Sequence, residues 1–236
     1  MKNLNIKKVE VKKGAVVIAD VHYKKGDKEF IEVLKKWIKN PPAQVFFLGD
    51  IFHLLLPFSY LKEYNSSAVL LINKLAEKTE VYYTPGNHDF NIETLFENVV
   101  FADAFYDEKK NLMLTHGDLT GSDFWYGVYV KLSRNRFLEK IFHIISLNFY
   151  SNWLFKKILK KRIVCKKIKN FENIIKEKLK SSDFGIIIEG HYHQNVILHI
   201  NDTVYVNLPA FVCTKSYILI QLDNNTLVKE INYDGR

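Results

Sequence analysis

Cysteine is scarce in this chain, which contains only Cys165 and Cys213. The two residues do not form a CxxC pair, and two cysteines are too few for the disulfide framework that small secreted domains need. We therefore expect two unpaired thiols in a protein that works in a reducing compartment.

Long apolar runs and linker-like stretches are also missing. The lysine-bearing segment 1–13 leads only to a short apolar run, Ala15 to Ala19, far below the length of a signal-peptide core or a membrane-spanning helix. No stretch rich in Pro, Gly or Ser divides the 236 residues. We expect a cytoplasmic protein with a single domain, 1–236, because 47% apolar and 25% charged residues are typical of a folded chain.

The positive charge is concentrated in one segment. Residues 119–183 hold 15 Lys and Arg against five Asp and Glu, whereas the net charge of the whole chain is +8. The segment 121–182 has no proline and no strand-like alternation. Its apolar spacing predicts helices at Phe124–Leu132, Phe137–Leu147, Trp153–Leu159 and Ile168–Leu179. We interpret 121–182 as a helical insertion into the domain.

The rest of the chain alternates strand-like and helix-like patterns. Buried strands are predicted at Ala15–Ala19, Val45–Leu48 and Val81–Thr84, with helical spacing between them, which indicates βαβα order and a partly parallel sheet. Closely spaced strands after residue 184 indicate antiparallel hairpins and a second sheet. The expected fold is α/β, with two packed sheets and helices outside.

Five short polar motifs stand at the ends of predicted strands. They are Asp20-Val21-His22, Gly49-Asp50, Gly86-Asn87-His88-Asp89, His116-Gly117-Asp118 and Gly190-His191-Tyr192-His193. Ligand sites of α/β sheets lie at such strand ends, and a mixed oxygen and nitrogen set suits Mn, Fe or Zn better than Ca or Mg. The three other histidines, His53, His143 and His199, are assigned to a loop or rim, a helix face and a strand.

Together these motifs resemble the five signature blocks of calcineurin-like metallophosphoesterases, in the order in which that family has them. The resemblance covers about residues 14–120 and 184–212 and leaves out the insertion. It implies two packed mixed β-sheets flanked by helices, and a hydrolase that uses two divalent metal ions. Mn²⁺ is the first choice of metal, with Fe or Zn as alternatives.

The resemblance also implies a role for each motif residue. One ion would be held by Asp20, His22, Asp50 and His193, and the other by Asp50, Asn87, His116 and His191, so that Asp50 bridges them. Two ions about 3.5–4 Å apart stabilise the attacking and leaving oxygens of an in-line displacement and lower the pKa of a water. His88, oriented by Asp89, would stabilise the phosphoryl oxygens or protonate the leaving group.

The insertion contains a segment, Trp153–Lys169, in which eight basic residues and no acidic one are interleaved with apolar residues. As a helix it would lie on an anionic membrane surface, and together with the apolar stretch before it could form a lid over a lipid. This insertion is similar to that of the UDP-2,3-diacylglucosamine pyrophosphatases of lipid A biosynthesis, a branch of the family. The residues that would contact the substrate are Asp123, Tyr126, Arg134, Arg136, Lys157, Lys161 and Arg162. His88 departs from this branch, whose best-known form has arginine there.

We therefore expect a peripheral enzyme on the inner face of the membrane, which cleaves UDP-2,3-diacylglucosamine to UMP and 2,3-diacylglucosamine 1-phosphate without an obligate protein partner. Three alternatives stay open. The aromatic stripe of the insertion could pack on the core, with its lysines solvated. The basic patch could bind nucleic acid, with a nucleotide or phosphodiester as substrate. The chain could also be a non-catalytic binding module on the same scaffold.

Overall fold

The computed structural model describes residues 4–119, 147–180, 182–223 and 226–233. The strands are β1 (Ile6–Lys8), β2 (Val16–Ile18), β3 (Gln44–Leu48), β4 (Glu80–Thr84), β5 (Val99–Phe101), β6 (Ala104–Asp107), β7 (Leu112–Thr115), β8 (Ile186–Glu189), β9 (Val196–Ile200), β10 (Thr203–Asn207), β11 (Ser216–Asp223) and β12 (Thr226–Asn232). The helices are α1 (Lys28–Lys39), α2 (Ser59–Ala76), α3 (Leu147–Leu159), α4 (Phe171–Leu179) and α5 (Phe211–Thr214), with a 3₁₀ turn at Glu93–Leu95.

The strands form two mixed sheets of six strands each. One sheet has the order β12-β11-β2-β3-β4-β5, and its strands β2 to β5 are parallel. The other has the order β1-β6-β7-β8-β10-β9, in which β7, β8 and β10 are parallel. Both hairpins, β9–β10 and β11–β12, are antiparallel. The prediction of two mixed sheets flanked by helices is confirmed, although β11 and β12 join the first sheet and not the second.

Alternation along the strands gives each sheet two buried faces. In β2, Val17 points to the other sheet and packs with Phe46, Phe105 and Leu114, whereas Val16 and Ile18 point outward to α1 and α2. Successive strand residues face opposite sides, so one short apolar run serves both layers. The outer face of the second sheet is covered by α4. The result is a four-layer helix–sheet–sheet–helix arrangement.

The sequence patterns missed three short strands, β1, β5 and β6. β1 reads Ile-Lys-Lys and is exposed along its length, so it has no apolar alternation by which it could be found. Its place in the sheet comes from parallel pairing with β6, in which Ile6 lies opposite Ala104. Pairing between distant segments decided the structure here.

The segment between β7 and β8 contains α3 and α4. α3 includes the predicted helix Trp153–Leu159, and α4 begins at Phe171, three residues later than predicted. The predicted helix Phe124–Leu132, and all but the last residue of Phe137–Leu147, lie outside the described residues. Among the residues described, no helix is both long and apolar enough to cross a membrane.

The prediction that the basic segment Trp153–Lys169 is one helix is wrong. Helical structure ends at Leu159, and residues 160–170, which we call the basic loop, form neither helix nor strand. The physical reason lies in the partners of the loop. The Ile168 N–H donates to Gln194 Oε1 (2.8 Å), and Gln194 Nε2 donates to the Lys166 carbonyl (3.2 Å), so these backbone groups are not available to a helix.

Candidate metal centre

The five polar motifs meet at one end of the two sheets. Asp20 and His22 follow β2, Asp50 follows β3, and Asn87 and His88 follow β4. His116 follows β7, and His191 and His193 follow β8. Neighbouring parallel strands end at the same edge of a sheet, so each sheet presents its motifs side by side.

Close packing brings the motifs of the two sheets together. Gly49, at φ +73°, lies so near the His116 ring that a Cβ atom would be 2.3 Å from its Cγ. A Cβ atom at Gly190 would be 2.5 Å from the Asp20 carboxylate. Glycine at these two positions lets ligands from one sheet reach those of the other.

Asp50 lies at the centre of the cluster. His22 Nε2 is 3.7 Å from Asp50 Oδ2, and His116 Nε2 is 3.7 Å from Asp50 Oδ1. These distances are too long for hydrogen bonds, but metal–ligand bonds of about 2.0–2.2 Å place two ligands of one ion about 3–4 Å apart. Among the residues that the structure describes, three triplets have candidate ligand atoms within 4.8 Å of one another: Asp20, His22 and His193; His22, Asp50 and His88; and Asp20, Asp50 and His116.

Several buried atoms of the cluster lack a hydrogen-bond partner in the part of the chain that is described. Those on candidate ligands are Oδ1 of Asp20, both ring nitrogens of His22, Nε2 of His116 and Oδ1 of Asn87. Nδ1 of His116 donates to the Leu48 carbonyl (2.9 Å), which leaves Nε2 with the lone pair that a metal needs. Buried polar atoms are rarely left unpaired, so the cluster fits divalent cations bound by mixed carboxylate, amide and imidazole ligands.

The electrostatics of the cluster also suit cations. Burial lowers the pKa of His191 to about 4 and that of His22 well below its usual value, so both imidazoles are neutral at pH 7. Burial raises the pKa of Asp50 to about 6. Burial alone would lower the pKa of His116, but the nearby carboxylates, Asp50 first, raise it to about 9. The cluster therefore attracts positive charge, which a proton supplies on His116 and a metal ion would supply better.

A family model for calcineurin-like phosphoesterases matches residues 15–195, most of the chain. The chain belongs to the calcineurin-like phosphoesterases. It is therefore a phosphoester hydrolase, and its Asp/His cluster is a possible site for divalent metal ions.

Solved structures of similar fold are distant in sequence from this phosphoesterase. An archaeal phosphodiesterase is 11% identical over 92% of this chain and 98% of its own, with a TM-score of 0.47. The phosphoesterase Yfce from E. coli is 15% identical over 93% and 99%, with a TM-score of 0.46. A third structure, 14% identical over 93% and 98%, has a TM-score of 0.51 and shares the fold. No curated protein matches the sequence.

The role of Asp89 in this phosphoesterase differs from the one that we predicted. It is buried and accepts backbone N–H groups from Asp50 (3.1 Å), Ile51 (2.6 Å) and Gly86 (2.8 Å), as well as the Tyr83 hydroxyl (2.6 Å). The prediction that Asp89 orients His88 is wrong, because its carboxylate is taken up by these donors. Asp89 instead fixes the loop that carries Asp50.

His88 is oriented by a backbone carbonyl. Its Nδ1 is paired with the His53 carbonyl (2.8 Å) and must therefore carry the proton of that bond. Its Nε2 lies 4.0 Å from Asp50 Oδ2, and the side chain is 28% exposed. His88 can thus face both the cluster and a substrate.

His53 is more than the loop or rim residue that the sequence indicated. It is buried, and its Nε2 donates to the Ile158 carbonyl near the end of α3 (3.2 Å). Because the His53 carbonyl also accepts from His88 Nδ1, His53 connects the insertion to the metal centre of the phosphoesterase. In the sequence, this role of His53 was indicated by its position three residues after Asp50.

The metal centre opens into a cavity of about 800 Å³. One wall consists of the candidate ligands and neighbours His22, Asp50, Asn87, His88, His191, Tyr192 and His193. The other wall is the basic loop, through Arg162, Ile163, Val164, Lys166, Lys167, Ile168 and Lys169. Positive charge and apolar surface therefore face the metal centre together.

The predicted substrate contacts have different outcomes in the phosphoesterase structure. Arg162 lines the cavity, whereas Lys157 and Lys161 are not among the lining residues. Lys157 lies over the exposed Trp153 ring, 5.3 Å from its centroid. The other four, Asp123, Tyr126, Arg134 and Arg136, lie outside the described residues. Lys166 and Lys167 were missed, because the helix predicted for them hid that this stretch turns toward the cavity.

The two cysteines are bonded to each other. Cys165 in the basic loop and Cys213 in α5 form a disulfide, with Cα atoms 5.8 Å apart. The expectation of two unpaired thiols is therefore wrong. Their separation of 48 residues hid the pairing, which depends on the loop and α5 meeting beside the metal centre.

Proposed function

We propose that this phosphoesterase hydrolyses the diphosphate of UDP-2,3-diacylglucosamine, giving UMP and 2,3-diacylglucosamine 1-phosphate. The observation that supports this substrate is the cavity wall opposite the metal centre. Arg162 and Lys166 would pair with the phosphates, whereas Ile163, Val164 and Ile168 offer apolar surface to acyl chains. Lys167, whose Nζ donates to the Gln194 carbonyl, would add positive charge to the same wall.

The metal centre would be built from the ligands named above. Asp20, His22, Asp50 and His193 would hold one divalent ion, and Asp50, Asn87, His116 and His191 the other, with Mn²⁺ as the first candidate and Fe or Zn as alternatives. Bound there, the ions would activate water and stabilise the charge of the transition state. His88 donates from Nδ1 to the His53 carbonyl, so only its doubly protonated form could also donate from Nε2. In that form it would donate a hydrogen bond to the phosphoryl oxygens or a proton to the leaving phosphate on the sugar side.

The test is turnover of the defined substrate. Purified protein with Mn²⁺ is incubated with UDP-2,3-diacylglucosamine in ¹⁸O water, and products are separated and weighed by mass spectrometry. We expect UMP that carries the label, since water would attack the phosphorus on the uridine side. Absence of UMP from protein with demonstrated bound metal would refute the lipid substrate, and cleavage of single-stranded DNA instead would favour the nucleic-acid alternative.

The exposed side of the insertion supports peripheral binding to an anionic membrane. Trp153 is 52% exposed and Val164 is 71% exposed, next to lysines of α3 and the basic loop. Each Lys or Arg near anionic headgroups contributes about 1 kcal/mol, and the apolar side chains would enter the interface. We propose the cytoplasmic leaflet as the site of binding.

Cosedimentation with liposomes tests this surface. We expect binding to vesicles with 30% phosphatidylglycerol, little binding to pure phosphatidylcholine, and a loss of several-fold for the Trp153→Ser variant. Ile197→Ser is the matched control, because Ile197 is 54% exposed on β9, outside the insertion. Equal losses for the two variants would argue against a specific membrane face.

A further inference from the structure

The basic loop is joined covalently to a neighbouring helix. Its Cys165 is bonded to Cys213 of α5, and the first turn of α5 is bonded to the end of β2. The Phe211 N–H donates to the Ala19 carbonyl (3.2 Å), and the Val212 N–H donates to the Asp20 carbonyl (3.1 Å). The disulfide thus connects the loop, through one short helix, to the backbone of a candidate metal ligand.

Hydrogen bonds also hold the loop, but they are weaker constraints. Gln194 pairs with the backbone of Lys166 and Ile168, and its carbonyl accepts from Lys167 Nζ. Lys24 Nζ donates to the Lys161 carbonyl (2.7 Å), and the backbone of Val164 pairs with His193. These bonds lie at partly buried or exposed positions, where water competes for the same groups. The disulfide is therefore the attachment whose loss would change the loop most.

Reductants can reach this disulfide. Cys165 is exposed and Cys213 is half-buried. Lys166 and Lys167 directly follow Cys165 in the sequence, and an exposed cysteine in a positively charged segment is a setting that favours thiol–disulfide exchange. A structural disulfide would be expected in a protected position, so the exposure favours a bond that opens and closes.

We propose that the Cys165–Cys213 disulfide is a redox-controlled clasp that sets the affinity of the cavity for phosphate-bearing substrates. When it is closed, Arg162, Lys166 and Lys167 are fixed opposite the metal centre. A dithiol reductant transfers two electrons and two protons to the sulfurs, which leaves two protein thiols and a cyclic disulfide of the reductant. The open loop must then be ordered again whenever substrate binds, which lowers affinity and leaves the metal centre intact.

The first test measures the loop and not turnover, because the proposal rests on the proposed function for the identity of the substrate. Protein is kept oxidised, or is reduced with dithiothreitol and desalted, and both forms are digested briefly with trypsin. The basic loop offers six Lys and Arg for cleavage. We expect cleavage within residues 160–170 to be about tenfold faster in the reduced form, since cleavage follows local opening. Samples are reduced after quenching, so that fragments separate before mass spectrometry.

The second test measures affinity in the same two forms. With UDP-2,3-diacylglucosamine and Mn²⁺, reduction should raise KM about tenfold and leave kcat and bound metal unchanged. A tenfold change is expected because one or two long side chains must be ordered again when substrate binds. Cys165→Ser and Cys213→Ser should each behave like reduced protein and should not respond to dithiothreitol. Agreement of the two variants, one in the loop and one in the helix, assigns the effect to the bond between them.

The outcomes separate the clasp from the substrate. Two free thiols after mild oxidation, or equal tryptic cleavage of the two forms, would overturn the clasp. Faster cleavage with an unchanged KM would overturn its control of affinity. Faster cleavage with no UMP from either form would refute the lipid substrate, and the KM measurement would then be made with bis(p-nitrophenyl) phosphate.

Discussion

The metal centre and the basic loop face each other across one cavity, but they are held in different ways. The candidate ligands are mostly buried at strand ends, and Asp50 and His116 are fixed by backbone bonds and close packing. The basic loop lies on the surface and is attached through side chains and one disulfide. The core of the fold thus positions the candidate ligands, and we expect that the wall formed by the basic loop can change without unfolding the core. The following predictions test this division.

The largest effect is expected from Asp50→Asn, because Asp50 lies at the centre of the cluster. We expect hydrolysis of bis(p-nitrophenyl) phosphate to fall on the order of 10³-fold, with less bound metal, since removing one charged group from such a site typically has effects of this size. The thermal unfolding temperature of metal-free protein should stay close to that of wild type, because burial already disfavours the charge on Asp50. Rates and metal content by mass spectrometry check the result. The control is Asp107→Asn, because Asp107 is a buried carboxylate at the other end of the second sheet. A loss of hydrolysis below tenfold for Asp50→Asn would contradict the central role of Asp50.

The second prediction concerns the junction between the two regions. Lys178 on α4 and Glu189 at the end of β8 form a buried ion pair of 2.5 Å, and the Tyr205 hydroxyl donates to the same carboxylate (2.5 Å). Lys178→Met would leave Glu189 buried without its cation and should lower the free energy of unfolding by about 3–5 kcal/mol. Urea denaturation measures the change.

Lys176→Met on the same helix is the matched control. Lys176 pairs with Glu172 at 2.7 Å, but both side chains are about half exposed, so its loss should cost no more than about 0.5 kcal/mol. Adding Glu189→Gln to Lys178→Met should recover part of the stability, because the uncompensated charge is then removed. If Lys178→Met were as stable as Lys176→Met, the insertion would not be anchored to the core by this pair.

A third, smaller effect is expected in the basic loop. Replacing Arg162 and Lys166 together by Ala should raise KM for a diphosphate substrate about tenfold and leave kcat nearly unchanged, because binding contacts outside the reacting centre act on both states. Steady-state kinetics measure both parameters. Lys157→Ala is the control, since Lys157 lies over Trp153 and not in the cavity wall. A fall in kcat as large as that expected for Asp50→Asn would mean that the basic loop contributes to the chemical step and not only to binding.

The smallest effect is expected far from the site, at Asp107. Its burial opposes ionisation, but bonds from the Val11 N–H (2.8 Å) and Lys110 lower its pKa below the usual 3.8. A lowered folded pKa means that this carboxylate stabilises the protein above about pH 4 and loses that contribution as pH falls through the folded pKa. Asp107→Asn should therefore be less stable than wild type by about 1–2 kcal/mol at pH 7 and by less near pH 2.5.

Urea denaturation at the two pH values checks the Asp107 prediction. Hydrolysis at pH 7 should stay at the wild-type level, because Asp107 lies at the end of β6 that faces away from His116. A stability difference that is the same at both pH values would contradict the assigned pKa. A loss of activity would mean that the far end of the sheet is coupled to the metal centre.

The core and the metal motifs could be predicted because their signals are local. Val16 to Ile18 and Val45 to Leu48 are apolar runs that end in ligand residues, and strand ends of parallel sheets converge whatever the rest of the chain does. The role of Asp89 could not be predicted, because it depends on which of several donors within reach takes its oxygens. The sequence around Asp89 would read the same whether Asp89 oriented His88 or fixed the Asp50 loop.

The basic loop could not be predicted for a different reason. Its composition suits an amphipathic helix, and helix propensity gives no indication that Gln194 binds its backbone or that Cys165 reaches Cys213. These partners lie 26 to 48 residues away in sequence. Long-range contacts of single side chains overrode the local pattern there.

The backbone at the metal centre restricts which amino acids can occupy it. Five candidate ligands have left-handed backbone conformations: Asp20 (φ 51°), His22 (φ 47°), Asp50 (φ 52°), His191 (φ 65°) and His193 (φ 58°). Apart from glycine, Asp, Asn and His enter this region most readily, and β-branched residues are strongly disfavoured there. The same few amino acids are thus selected twice, once by the bond they make to a cation and once by the turn they must form. A glutamate or cysteine could offer a ligand atom at these positions, but it would fit the turn less well. This double restriction explains why the site could be found in a single sequence from a few Asp, Asn and His residues.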